Sequence, residues 1–203
     1  MIQIVLINGK QGAGKTTTSN ALKAEAKRQN YEMVFQKKFA DPLYFLHEFI
    51  LNKMETWTGS PRKQKDGLLL QLLGTEFGRN SYGANVWVDI LKQEILKIIK
   101  SYSEQKIQKI LFIIDDCRFE NEFDLFPEAL RVRLEASEEH RKPRTDSWRE
   151  NTLHSSEIAL DSYASEGLFD LYIQTDTKES SPEHAAALIL AQLQKQSWVE
   201  KRK

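Results

Sequence analysis

A chain of 203 residues is long enough to bury the core of one α/β domain, so a second domain is not required. Lysine plus arginine equal aspartate plus glutamate at 29 each; no global basic field points to nucleic acid, and any cationic site must be a local cluster. The single cysteine, Cys117, excludes an intrachain disulfide and reads as a buried bystander in a reducing cytoplasm, and no apolar stretch reaches the roughly 20 residues of a membrane span.

In chain order, IQIVLI at 2–7 lacks a basic flank and a small-residue cleavage site and runs into glycine-rich sequence. It reads as a strand and not a leader, and the expectation is a soluble cytoplasmic protein. A helix is expected over 15–28 and a second strand over 33–39. Asp41-Pro42 then offers an N-cap and a proline at the first helical position, with Leu43, Leu46, Ile50 and Met54 on one side. The stretch 55–66 carries glycine, proline and charge and reads as an exposed loop.

Helices follow over 67–80 and 84–100; the second keeps Trp87, Leu91, Ile95 and Ile98 in a stripe that leaves a homodimer open. KILFIID at 109–115 has the continuous apolar character of a buried parallel strand, and 130–134 is a further strand. The charged segment 135–151 cannot be core and is a candidate lid. A last strand at 168–174 and a helix at 182–196 close the chain. Strands alternating with helices predict a parallel sheet covered on both faces.

Between the first strand and the first helix stands INGKQGAGKTTT. Gly9, four residues, then Gly14-Lys15-Thr16 satisfies the P-loop pattern, with the flanks that its physics requires. Backbone N–H groups of Gly9, Gly12, Ala13 and Gly14, and those of Lys15, Thr16 and Thr17 at the helix start, would face phosphate oxygens. Lys15 would reach the β and γ oxygens, and the Thr16 hydroxyl would serve Mg²⁺. The carboxylate of the magnesium shell is expected at the end of another central strand. Asp115 after ILFII is favoured for it, with Asp116 one residue on facing the other way. The Asn-Lys-x-Asp segment of guanine-specific switches does not occur.

Joining two anionic molecules calls for arginines beyond the P-loop lysine. The candidates are Arg79, Arg118, Arg141, Arg144 and Arg149, with Lys37 and Lys38 at the end of the second strand. Arg141 and Arg144 would close on the triphosphate from a largely helical lid or else belong to a solvated charged hairpin, with Trp148 anchoring the lid base. Arg118 and Glu122, four apart, either pair on a helix face or divide into a phosphate ligand and its orienter.

The string LLLQLLGTEFGRNSYGANVWVD at 68–89, with FADPL at 39–43, DDCRFENE at 115–122 and HSSEIALD at 154–161, resembles the deoxynucleoside monophosphate kinases of bacteriophage type, within the P-loop kinase superfamily. The matches run in order across about 10–160; the segment 135–151, with Pro143, departs from the pattern. The resemblance implies a three-layer α/β/α fold with a parallel sheet. Its core would be about 1–40, 105–135 and 165–203, its acceptor-binding helical region about 41–100, and its lid about 136–152.

It also implies Mg²⁺- and ATP-dependent phosphorylation of a deoxynucleoside monophosphate, without nucleic acid or membrane. Gln71 and Thr75 would lie near the acceptor base or sugar, Arg79 would grip its phosphate, and Lys37, Asp41 and Glu157 would complete the acceptor site. Ser156 is equally a helix cap or a ligand, and His154 reads as structural. The competing expectations are a kinase for another phosphorylated acceptor such as phosphomevalonate, a P-loop ATPase working on a macromolecule, and a non-catalytic nucleotide-binding module.

Overall fold

The computed structural model describes residues 1–61, 66–105, 107–144, 148, 155–177 and 180–200. They form β1 (Ile2–Asn8), α1 (Lys15–Arg28), β2 (Met33–Lys37), α2 (Asp41–Thr58), α3 (Gly67–Gln71), a π-helical segment Leu72–Arg79, α4 (Asn80–Tyr82) and α5 (Val86–Glu104). Then come β3 (Ile110–Ile114), α6 (Glu120–Phe123), β4 (Leu130–Glu135), α7 (Glu138–Arg141), a 3-10 turn Lys142–Arg144, α8 (Ser155–Ile158), α9 (Asp161–Ser165), β5 (Leu171–Gln174) and α10 (Pro182–Glu200). Two compact units result, Met1–Lys37 with Ser101–Lys203, and Lys38–Lys100.

In the first unit the five strands make one parallel sheet in the order β2-β3-β1-β4-β5. All five residues of β3 are buried, as its unbroken apolar run predicts, because both faces of an inner parallel strand are covered. On one face Val5, Ile7, Leu111, Ile113, Val132 and Leu134 share a core with Leu22 and Ala26 of α1 and Ala186, Ile189, Leu190 and Leu193 of α10. On β3, Phe112 stacks on Phe35 at 5.3 Å, and Phe35 meets Tyr102 at 5.6 Å. The sheet order sets β1 beside β3, so the loop after β1 and the residues after Ile114 emerge side by side at the carboxyl edge. That edge is where open α/β sheets bind ligands.

Several boundaries differ from the sequence expectation. β2 stops at Lys37, before Phe39, because the chain turns there: the Asp41 carboxylate accepts the Lys38 N–H at 2.8 Å. Asp41 is accordingly the first residue of α2 and not its cap; Ala40 holds the cap position and Pro42 lies in the first turn. β5 begins at Leu171, and α5 and α10 run past the expected ends at 100 and 196. No described helix is long and apolar enough to cross a membrane.

The second unit holds the largest departure. The single helix expected over 67–80 is a short α-helix that widens into a π-helix over Leu72–Arg79, where the Asn80 N–H reaches back five residues to the Thr75 carbonyl. The Trp87 indole N–H donates to the Gly74 carbonyl at 2.9 Å in a buried contact. A side-chain donor inserted into the backbone ladder is a recognised cause of such local widening. Gly78 lets the Trp87 ring lie against the helix, since a Cβ there would come within 2.3 Å of Trp87 Cζ2.

Candidate functional site

The loop after β1 is shaped by glycines. Gly14 holds the cap position of α1 at φ 90, a left-handed conformation, and Gly12 has φ 77 with the Arg141 carbonyl 2.5 Å from where a Cβ would stand. Side chains are disfavoured at both places. No side chain caps α1 and its first turn carries no acidic residue. The helix N-terminus therefore presents backbone N–H groups and the positive end of its dipole to an anion.

The loop is also gripped from outside. The Gln11 carbonyl accepts from Arg141 Nη1 at 2.9 Å, the Gly12 carbonyl from Arg144 Nη1 at 3.5 Å, and the Ala13 carbonyl from Thr175 Oγ1 at 3.0 Å. Three successive carbonyls are thus directed outward, and because a trans peptide is planar, the amides of Gly12 and Gly14 are turned away from that outer grip. The Ala13 N–H closes the turn on the Lys10 carbonyl at 3.1 Å. Gln11 is the exception: its N–H points to Glu157 Oε2 at 2.8 Å.

Lys15 opens α1, with its ammonium donating to the Gly9 carbonyl and, at 3.0 Å, to that of Lys10. Burial lowers its pKa to about 8, helped by the Arg118 charge and opposed by Glu157, Asp115 and Asp116 in that order. Burial disfavours the cation here, yet at neutral pH most molecules keep it. Thr16 and Thr17 are exposed on the first helical turn. Asp115 is buried directly after β3, and Asp116 is half-buried. Of the two, Asp115 acts more strongly on Lys15.

A threonine hydroxyl and a carboxylate near the P-loop lysine are hard oxygen donors suited to Mg²⁺. Among the described residues no group of three or more His, Cys, Asp or Glu side chains is placed to hold a metal alone. This donor set fits an ion that draws most of its ligands from phosphates and water.

Of the two readings of Arg118 and Glu122, the side-chain pair on a helix face is not the one that forms. Arg118 precedes α6, and its Nη1 donates to Glu157 Oε1 at 2.9 Å and to Ser156 Oγ at 3.2 Å. Glu122, buried, instead accepts the backbone N–H groups of Arg118 at 2.7 Å and Phe119 at 3.2 Å, so it fixes the arginine through its main chain. Ser156 lies inside α8 and does not cap it. Glu157, expected among the acceptor residues, bridges Arg118 and the loop amide of Gln11 with its two oxygens.

Arg141 and Arg144, expected either to close on the triphosphate from a lid or to belong to a solvated charged hairpin, donate here to backbone carbonyls. Arg141 is buried, donates also to the Ala136 carbonyl at 3.0 Å and lies over the Trp148 ring at 5.3 Å. Arg144 Nη2 donates to the Thr175 carbonyl at 2.7 Å. Pro143 confines the helix to Glu138–Arg141 and leaves a 3-10 turn after it. Arg149 and His154 lie outside the described residues.

Lys37 ends β2 opposite Ile114 of β3, at the same carboxyl edge. In the second unit, Gln71 is exposed at the end of α3, and Thr75 and Arg79 are half-buried on the π-helical segment. The four-residue spacing keeps the three in a row. Asp41 spends one oxygen on the Lys38 amide. Cys117 is buried, and burial pushes its thiol well up, which fits an inert bystander. Thr175 escaped the sequence reading because a threonine after a strand carries no signal of the loop it will meet.

No protein-family model matches the sequence. A curated relative, the deoxynucleoside-5'-monophosphate kinase of Escherichia phage T5, is 29% identical over 103 residues, 51% of this chain. The match spans only 36% of that relative's length. Among solved structures, thymidylate kinase from Ehrlichia chaffeensis superposes with a TM-score of 0.50 at 15% identity, covering 95% of this chain and 98% of its own. TT1252 from Thermus thermophilus superposes with a TM-score of 0.52 at 14% identity over 94% and 97% of the two chains. The protein therefore has the α/β fold of the P-loop kinases, and in sequence it resembles a phage deoxynucleoside monophosphate kinase.

Proposed function

We propose that the protein transfers the terminal phosphoryl group of ATP to a deoxynucleoside monophosphate. The observation that carries the reading is the half-buried Lys15 with its ammonium on the Gly9 and Lys10 carbonyls of the glycine loop, and with Asp115 and Arg118 acting on its charge from the end of the neighbouring strand. In this reading the inward amides and Lys15 bind the β and γ oxygens. Mg²⁺, held on the protein side by Thr16 and Asp115, would neutralise charge on the donor phosphates.

In this reading Arg118 is a second cation, beside Lys15, for the transferred group. Its pairing with Glu157 keeps the guanidinium in place until phosphate oxygens compete for it. The acceptor's phosphate monoester, with a second pKa of about 6, is largely dianionic at neutral pH. Its oxygen attacks the γ phosphorus while the bond to the β–γ bridging oxygen breaks, giving two diphosphates with no general base required. Gln71, Thr75 and Arg79 supply the acceptor contacts, as the motif resemblance suggests, with Lys37 and Asp41 close in sequence at the start of the same region.

A coupled assay with dTMP, dGMP, dCMP and dAMP, and with ribonucleotide and mevalonate phosphate controls, tests the proposal. The expected result is ADP formation with at least one deoxynucleotide, and no ADP above background with any of them would end it. Arg79→Ala should raise the acceptor KM about tenfold or more while sparing the affinity for ATP, because a charge-assisted phosphate contact is worth about 1.5–3 kcal/mol. Equal loss of both would remove Arg79 from the acceptor role.

A further inference from the structure

Arg133 is a charged residue in an inner strand, only 6% exposed, at the point where β4 lies in register with Asn8, the last residue of β1. A guanidinium taken out of water needs partners. Nη1 donates to Asn8 Oδ1, and Nη2 donates to Asp161 Oδ1 at 2.7 Å. The ring of Phe169 lies 5.9 Å from the guanidinium carbon, and Glu135 approaches Nε at 3.9 Å.

Each partner continues toward the nucleotide loop or its neighbour. Asn8 Nδ2 donates to the Cys117 carbonyl at 2.7 Å, in the segment that carries Asp115, Asp116 and Arg118. Asp161 Oδ2 pairs with Lys10 Nζ at 3.0 Å. The Lys10 carbonyl in turn accepts Lys15 Nζ at 3.0 Å and the Ala13 N–H at 3.1 Å. One buried guanidinium thus links the peptide that receives Lys15 to the strand end that carries the carboxylates.

We propose that Arg133 and Asp161 are positioning residues for the donor site, acting through Lys10 on the phosphate loop and through Asn8 on the segment 115–118. The inference rests on the nucleotide-binding part of the kinase reading and not on the identity of the acceptor. Asp161 orients the Lys10 side chain, which holds the Lys10 peptide in the attitude that Lys15 and Ala13 require. Arg133 orients Asp161. Neither touches a phosphate.

Affinity for the magnesium complex of a non-hydrolysable ATP analogue, measured by calorimetry on the full chain, separates this from a merely structural role. Asp161→Asn should weaken binding about tenfold in otherwise wild-type protein and add less than about twofold on a Lys10→Met background, since residues in one network are strongly coupled. Asp161→Glu should recover most of the affinity. Arg133→Met, of similar length, should weaken binding as Asp161→Asn does; the Asp161 and Lys10 variants carry the test if it does not fold. An unchanged affinity in Asp161→Asn, or the same fold-loss on both backgrounds, overturns the proposal. Absence of phosphoryl transfer to every deoxynucleotide would remove the kinase reading and leave this binding result standing.

Discussion

Charged side chains around the loop divide by what they touch. Lys15 is aimed at loop carbonyls, Arg118 at a carboxylate, and Arg141 and Arg144 at main-chain oxygens. Sequence reasoning picked all four, because cations near a phosphate loop are easy to see. It could not divide them into ligands and supports, since Gln11, Gly12 and Thr175 lie 31 to 132 residues from the arginines that hold them. Asp161 offers a test at this scale. Its pKa is lowered from the usual 3.8: burial opposes ionisation, but hydrogen bonds from Lys10 and Arg133 and their charges outweigh it. A depressed native pKa means that the stabilisation is fully present above the unfolded value and is lost as pH falls through the native one. Asp161→Asn should therefore lower stability at pH 7 and make the loss between pH 7 and 2 smaller than in the wild type, read by urea denaturation at each pH.

At the scale of elements, glycines decide what the helices can do. In Gly12→Ala a methyl group would enter the space of the Arg141 carbonyl at a backbone angle that alanine disfavours. The loop must shift, and we expect a stability loss of about 1–3 kcal/mol. The affinity for ATP should fall well beyond what that loss explains, as nucleotide titration of the folded variant will show. In Gly78→Ala the methyl would strike the Trp87 ring and displace the indole N–H from Gly74. Overpacking plus a lost buried hydrogen bond should cost about 2–4 kcal/mol, a Tm drop of roughly 5–15 °C by thermal unfolding. The LGTEFGR string was legible as helical with an arginine at its end. Its π-helical winding was not, because that depends on Trp87, which the chain supplies from α5.

At the scale of the molecule, binding of ATP should be visible as stabilisation. A ligand at about 100 times its Kd adds about 2.7 kcal/mol, so a saturating magnesium complex of a non-hydrolysable ATP analogue should raise Tm by roughly 5–10 °C. Lys15→Ala should fold, lose that shift and abolish transfer; a retained shift together with full turnover would overturn the loop assignment. The alternation of strands and helices, the buried β3 and the P-loop between β1 and α1 all followed from local pattern, because apolar runs and glycine spacing are properties of adjacent residues. The sheet order, the outward pull on three loop carbonyls and the path from Arg133 to Lys10 did not. They join residues far apart in the chain, and only packing brings them within hydrogen-bond reach. By itself the sequence determined an α/β chain with a P-loop pattern and arginines to spare; the tertiary structure decided which of them grip loop backbone and which pair with a carboxylate, because those partners lie far away in the chain.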